Sequence, residues 1–89
     1  MKLTVENERI AYYAENGAVL AAVEFPARGE GVVEVTRTFV DESLRGQGAA
    51  GELMQALVGV LRERGIKARL SCSYAVKWFE KNGCGDVLA

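Results

Sequence analysis

Arg45-Gly46-Gln47-Gly48-Ala49-Ala50, followed by Gly51, separates a strand-like run (Val32 to Val40) from a helix-like run (Ala49 to Arg64). A glycine-rich turn that opens a helix dictates a strand–loop–helix unit. It leaves several backbone N–H groups unpartnered and pointing one way, reinforced by the positive end of the helix dipole. That is a ready seat for a phosphate or pyrophosphate. Glycine is also ordinary turn chemistry, so the spacing alone leaves a plain strand-to-helix connection open.

The flanking pattern predicts the rest of the fold. Leu3 to Val5 reads as a short strand, Arg9 to Ala14 as a second, and Asn16-Gly17 as a hairpin turn. Ala18 to Phe25 is a nearly continuous apolar run, hence a buried strand ended by Pro26, and Ala27 to Gly31 reads as a loop. Val32 to Val40 alternates as one strand, with Val33, Val35, Arg37 and Phe39 on one face and Glu34, Thr36, Thr38, Val32 and Val40 on the other. From Ala50 the apolar positions Ala50, Leu53, Met54, Leu57, Val60 and Leu61 follow a helical period, stopped by Gly65. Ile66 to Cys72 reads as a strand parallel to the one before the helix, closing a βαβ unit. Ser73 is placed to cap a last helix that turns Ala75, Trp78 and Phe79 inward and stops at Gly83. The expected order is ββββαβα, an α/β fold with a mixed, mostly antiparallel sheet, in a single domain over residues 1–89.

Composition narrows the chemistry. The net charge is −1 with no basic run, which argues against a nucleic-acid surface. No apolar stretch reaches membrane-spanning length and the start lacks a signal-peptide core, so a cytoplasmic protein with free thiols is expected. A bridge between Cys72 and Cys84 is also poor geometrically. A helix over Tyr74 to Asn82 sets its ends roughly 12–15 Å apart, whereas disulfide Cα atoms need about 6 Å. The chain has no histidine, which excludes Ser-His and Cys-His machinery and zinc sites of the usual Cys/His kind. No metal is expected, and acid–base work falls to carboxylates, thiols, tyrosines or lysines.

The loop resembles the acetyl-coenzyme A motif of the GNAT acetyltransferase superfamily, Arg/Gln-x-x-Gly-x-Gly/Ala, here Arg45, Gly48 and Ala50. Ala75 to Gly83 is similar to the superfamily's Ala-x-x-x-Tyr-x-x-x-Gly pattern. A tighter resemblance is to the small GNAT-like group of roughly 90–100 residues. Its Thr-Tyr/Phe-Val, Leu-Arg-Gly-x-Gly and cysteine-plus-aromatic segments match Thr38-Phe39-Val40, Leu44-Arg45-Gly46-Gln47-Gly48 and Cys72-Ser73-Tyr74. The resemblance implies acetyl-coenzyme A as cosubstrate, bound by Phe39, Val40, Arg45, Gly46, Gln47, Gly48, Ala49 and Ala50, and acetyl transfer to an amine, small molecule or protein. Two positions depart from it. Arg37 stands where the small group carries histidine, and Phe79 stands where larger members have a tyrosine that protonates the leaving thiolate.

Cys72 is the replacement. It precedes a helix N-terminus, where the dipole favours a thiolate, whereas Cys84 lies beyond a helix C-terminus. The alternative for Cys72 is a buried small hydrophobe. As a catalytic residue it serves either as nucleophile or as general acid to the coenzyme A sulfur. Tyr74 is a candidate contact to the thioester or acceptor, or a packed tyrosine. Glu34 is a candidate base for the amine, or a solvated strand glutamate. The rival functions are a non-catalytic acetyl-coenzyme A-binding module and a subunit of a larger complex. The acceptor and the oligomeric state are not legible in the residues.

Overall fold

The computed structural model describes residues 2–89. The elements run β1 (Thr4–Val5), β2 (Arg9–Tyr13), β3 (Val19–Glu24), β4 (Ala27–Gly29), β5 (Val32–Val35), β6 (Arg37–Val40), α1 (Ala49–Arg64), β7 (Lys67–Leu70) and α2 (Ser73–Asn82). Single 3-10 turns occupy Glu42–Leu44 and Gly85–Val87. An antiparallel sheet has the order β1-β2-β3-β6, and a second sheet has the order β4-β5-β7. The βαβ unit is present: β5 and β7 are parallel, with Val33 opposite Ala68 and Val35 opposite Leu70. No helix among the described residues is long and apolar enough to cross a membrane.

Two expectations about the strands change. The segment expected as a loop after Pro26 contains β4, which pairs with β5 through Ala27 and Val33. The run Val32 to Val40 is not one strand. It breaks at Thr36, whose N–H reaches back to the Glu24 carbonyl at 3.1 Å, while the Glu34 N–H bonds the Pro26 carbonyl at 2.9 Å. Proline has no N–H to continue the β3 ladder, so the chain changes direction at Pro26 and its neighbour follows two residues past Glu34. The break shifts the alternation by one residue. Val33 and Val35 face the core, but beyond Thr36 it is Thr38 and Val40 that share the inner face, opposite Val23 and Ala21. Arg37 and Phe39 are turned to the outer face, opposite Glu24 and Ala22.

The break also makes a cleft. β6 leaves with β3 while β7 ends on Val35, whose carbonyl accepts from both Ser71 and Cys72 N–H at 3.1 Å. As the last strand in its sheet, β6 keeps one edge unpaired along this opening.

Helix α1 packs on the inner face of the first sheet, over β2, β3 and β6, in a core that reaches Val35 of β5. Leu53, Met54, Leu57 and Leu61 are fully buried among Ile10, Val23, Phe25 and Val35. The buried stripe includes Ala49 and Val58, while Ala50 and Val60 sit at its margins. Gly65 ends α1 at φ 67°, a left-handed conformation that glycine adopts without strain. Helix α2 buries Ala75 and Phe79; Trp78 is only half-buried, with its ring edge-to-face on Phe79 at 5.1 Å. Ser73 is the first helical residue and Cys72 the cap, so the expected serine cap does not form. Since Phe79 packs in the core and has no ionisable proton, Phe79→Leu is expected to cost on the order of 1 kcal/mol. Chemical denaturation checks the loss, and coenzyme A affinity per folded molecule is expected to stay constant.

Candidate functional site

The loop is built by short-range bonds. Asp41 accepts from the Ser43 N–H at 3.0 Å and the Ser43 hydroxyl at 2.6 Å, which nucleates the 3-10 turn. Those same bonds hold the Asp41 carboxyl below its usual range, the hydroxyl contributing most. Leu44, Arg45 and Gln47 N–H then close back on Asp41, Glu42 and Leu44 carbonyls. Gly46 and Gly48 both take left-handed backbone, φ 82° and 75°, and Gly48 caps α1. The first helical bond runs from Glu52 N–H to the Gly48 carbonyl at 3.1 Å. Ahead of it, the N–H groups of Gly48, Ala49, Ala50 and Gly51 have no acceptor among the described residues, and no side chain caps them. They stand at the positive end of a 16-residue helix.

A groove of about 270 Å³ lies in front of these groups, lined by Val40, Arg45, Gly46, Gly48, Ala49, Ala50 and Tyr74 among others. Tyr74 comes from the first turn of α2, so the loop and the second helix share one concavity. Two of the expected cofactor residues stand apart from it. Gln47 spends its N–H on the Leu44 carbonyl and its side-chain amide on the Ser43 carbonyl, at 3.3 Å. Phe39 lies on the outer face, under the Arg37 guanidinium at 5.6 Å, and lines a different hollow with Glu24 and Ala22.

The Cys72 sulfur sits across the cleft from β6, 3.4 Å from the Thr38 hydroxyl, to which the thiol donates. Burial pushes the thiol pKa up and is the largest single effect. The Thr38 hydroxyl and the N–H groups of Ala75, Tyr74 and Thr38 outweigh it together, so the pKa falls below the ordinary thiol value. None of the first-turn N–H groups closes on the sulfur as a formed cap. They act as oriented dipoles. Thr38 had no assigned role from sequence: it lies 34 residues from Cys72, and only the strand break brings its hydroxyl to the inner face. Cys84 is a free thiol beyond the C-terminus of α2, its sulfur 3.9 Å from the Asn82 carbonyl.

Glu34 is engaged on the opposite face of β5. Its carboxylate accepts from the Ser71 hydroxyl at 2.7 Å and pairs with Arg28 at 3.4 Å. These contacts, Ser71 foremost, hold its pKa below the usual carboxylate value. The carboxylate is therefore a weak base, and it ties down the residue next to Cys72.

The model of the GCN5-related N-acetyl-transferase family matches residues 9–86. A GCN5-like protein from Staphylococcus aureus has the same fold at TM-score 0.78 and 28% identity, over 99% of this chain and 87% of that one. The ribosomal-protein alanine N-acetyltransferase of Escherichia coli superposes at TM-score 0.66 and 21% identity, over 84% of this chain and 50% of its own. A Mycobacterium tuberculosis protein solved in complex with CoA superposes at TM-score 0.65 and 16% identity, over 85% of this chain and 47% of its own. The chain thus spans about half the length of the last two. None of the curated proteins matches it.

Proposed function

The chain belongs to the GCN5-related N-acetyl-transferase family, and on that footing we propose that it transfers an acetyl group from acetyl-coenzyme A to an amine, using Cys72. Acetyl-coenzyme A is the cosubstrate. Its pyrophosphate takes the unpartnered N–H groups of Gly48, Ala49, Ala50 and Gly51, and its pantetheine arm follows the free edge of β6 past Val40. The thioester then reaches the Cys72–Thr38 pair at the cleft.

The thioester is already activated, so the protein has three tasks: to hold the carbonyl, to place the amine and to manage two protons. The observation that carries this reading is the Cys72–Thr38 pair, a thiol with a lowered pKa in the cleft beside the loop. Cys72 supplies the proton to the departing coenzyme A thiolate, or attacks the thioester and passes the acetyl group on in a second step. Thr38 orients the sulfur in both cases. Glu34 acts as a positioning residue, clamping Ser71 so that the Ser71–Cys72 turn keeps its place. Tyr74 borders both the loop and the thiol and screens the thioester from water.

A second reading is a module that binds acetyl-coenzyme A without turning it over. The burial of Phe79 at the position of the superfamily's tyrosine favours it. Release of coenzyme A thiol in the presence of polyamines, lysine peptides and peptide N-termini separates the two. Turnover with any of them establishes the transferase. Saturable binding without turnover establishes the module.

A further inference from the structure

Coenzyme A carries negative charge in two separate places, the pyrophosphate and the 3′-phosphate of its adenosine. The α1 N-terminus offers a seat for one of them. Resting on the coenzyme A reading above, we infer that the groove along α2 takes the 3′-phosphoadenosine end, with Lys77 and Lys81 holding the 3′-phosphate and Trp78 supporting the adenine.

This second groove, about 430 Å³, is lined by Tyr74, Lys77, Trp78, Lys81 and Asn82. That volume lies within the roughly 300–1,000 Å³ usual for ligand sites. Tyr74 belongs to both grooves, so together they form one track from the loop along α2. The track's charge sets it apart. It carries Arg45, Lys77 and Lys81 and no carboxylate, although the chain has more acids than bases, 12 against 11. Three other hollows on the surface each include a glutamate: Glu24 in one, Glu6, Glu8 and Glu24 in the next, and Glu8 in the third.

Lys77 and Lys81 are four residues apart on one helix, so their side chains leave from the same face. Both are exposed, and neither forms an ion pair among the described residues. The two ammonium groups can therefore close on one dianion without first breaking a bond. Beside them Trp78 offers a firm surface. Its ring is braced edge-on by Phe79, and Gly51 of α1 lies alongside, where a Cβ would fall at ordinary contact distance, 4.0 Å, from the indole Nε1. An indole held in this way can stack a purine.

Calorimetry with coenzyme A and 3′-dephospho-coenzyme A on the full chain tests the assignment. The wild type is expected to bind coenzyme A at least about tenfold more tightly at low salt. Rising salt is expected to narrow the gap. The Lys77→Ala/Lys81→Ala double variant is expected to bind both ligands alike, at the dephospho-coenzyme A affinity, with an unchanged melting temperature. Equal affinity in the wild type overturns the inference and leaves the loop reading intact. A preference that survives in the double variant overturns the role of the lysines. No binding of either ligand overturns the inference together with the cofactor reading.

Discussion

Replacing Cys72 with alanine is expected to abolish turnover while leaving coenzyme A affinity within about threefold, roughly 0.6 kcal/mol. The separation follows from geometry. The anion seat is made of backbone N–H groups at the start of α1, whereas the sulfur lies in the cleft against Thr38. Removing the sulfur deletes the proton or nucleophile without touching the phosphate contacts. Cys72→Ser keeps the shape and the Thr38 hydrogen bond but is a much weaker acid and nucleophile, so it is expected to fall near the alanine variant. The thiol can also be read directly. Iodoacetamide is expected to label Cys72 faster than Cys84 near neutral pH, and bound coenzyme A is expected to protect it. The pH profile separates the two roles by sign. A general acid must be protonated, so its activity falls as pH rises through the Cys72 pKa. A nucleophile must be ionised, so its activity falls as pH drops through the same value. Since that pKa lies below the ordinary thiol value, the inflection is expected below that of a free cysteine. Intact-protein mass after incubation with acetyl-coenzyme A alone gives the matching result: an acetyl adduct on Cys72 for the nucleophile, none for the acid. Full activity in Cys72→Ala would make the residue core filler.

Legibility from sequence followed the range of the interactions. Helix α1 was readable because its signals are local: a glycine in left-handed backbone at each end and an apolar period between. The N-cap of α2 falls one residue before the serine expected there, because the Cys72 backbone is extended and Ser73 is already helical, while the stop at Gly83 is as expected. The break at Thr36 was not readable. Val32 to Val40 contains neither glycine nor proline, and the cause lies outside it, at Pro26 between β3 and β4. That one break reassigns several residues. Phe39, grouped by motif with the cofactor residues, goes to the outer face, and Thr38 comes to the sulfur. Position along the chain pointed to Cys72 because a strand end before a helix start is a local feature. The hydroxyl that tunes it is a tertiary contact, and so is the tie from Glu34 to Ser71.

Gly48→Glu is expected to eliminate detectable coenzyme A binding by calorimetry, together with the rise in melting temperature that a ligand specific to the folded state produces. Two effects act together. Gly48 has φ 75°, where a side chain costs roughly 1–2 kcal/mol of backbone strain. Apart from its chain neighbours, no atom of the described residues lies within 4 Å of where its Cβ would be, so the new side chain has room to extend from the groove wall that Gly48 forms. A carboxylate there can accept from the N–H groups at the start of α1, doing for the helix what the phosphates would do. It also repels any anion that approaches. The strain and the charge are separable. Gly48→Ala brings the strain alone, and it is expected to lower stability by about that amount while retaining measurable affinity. Gly48→Gln adds the length without the charge and is expected to fall between them. If Gly48→Glu binds coenzyme A as tightly as the wild type, the open N–H groups of α1 are not the anion seat, and the phosphates must lie elsewhere on the molecule.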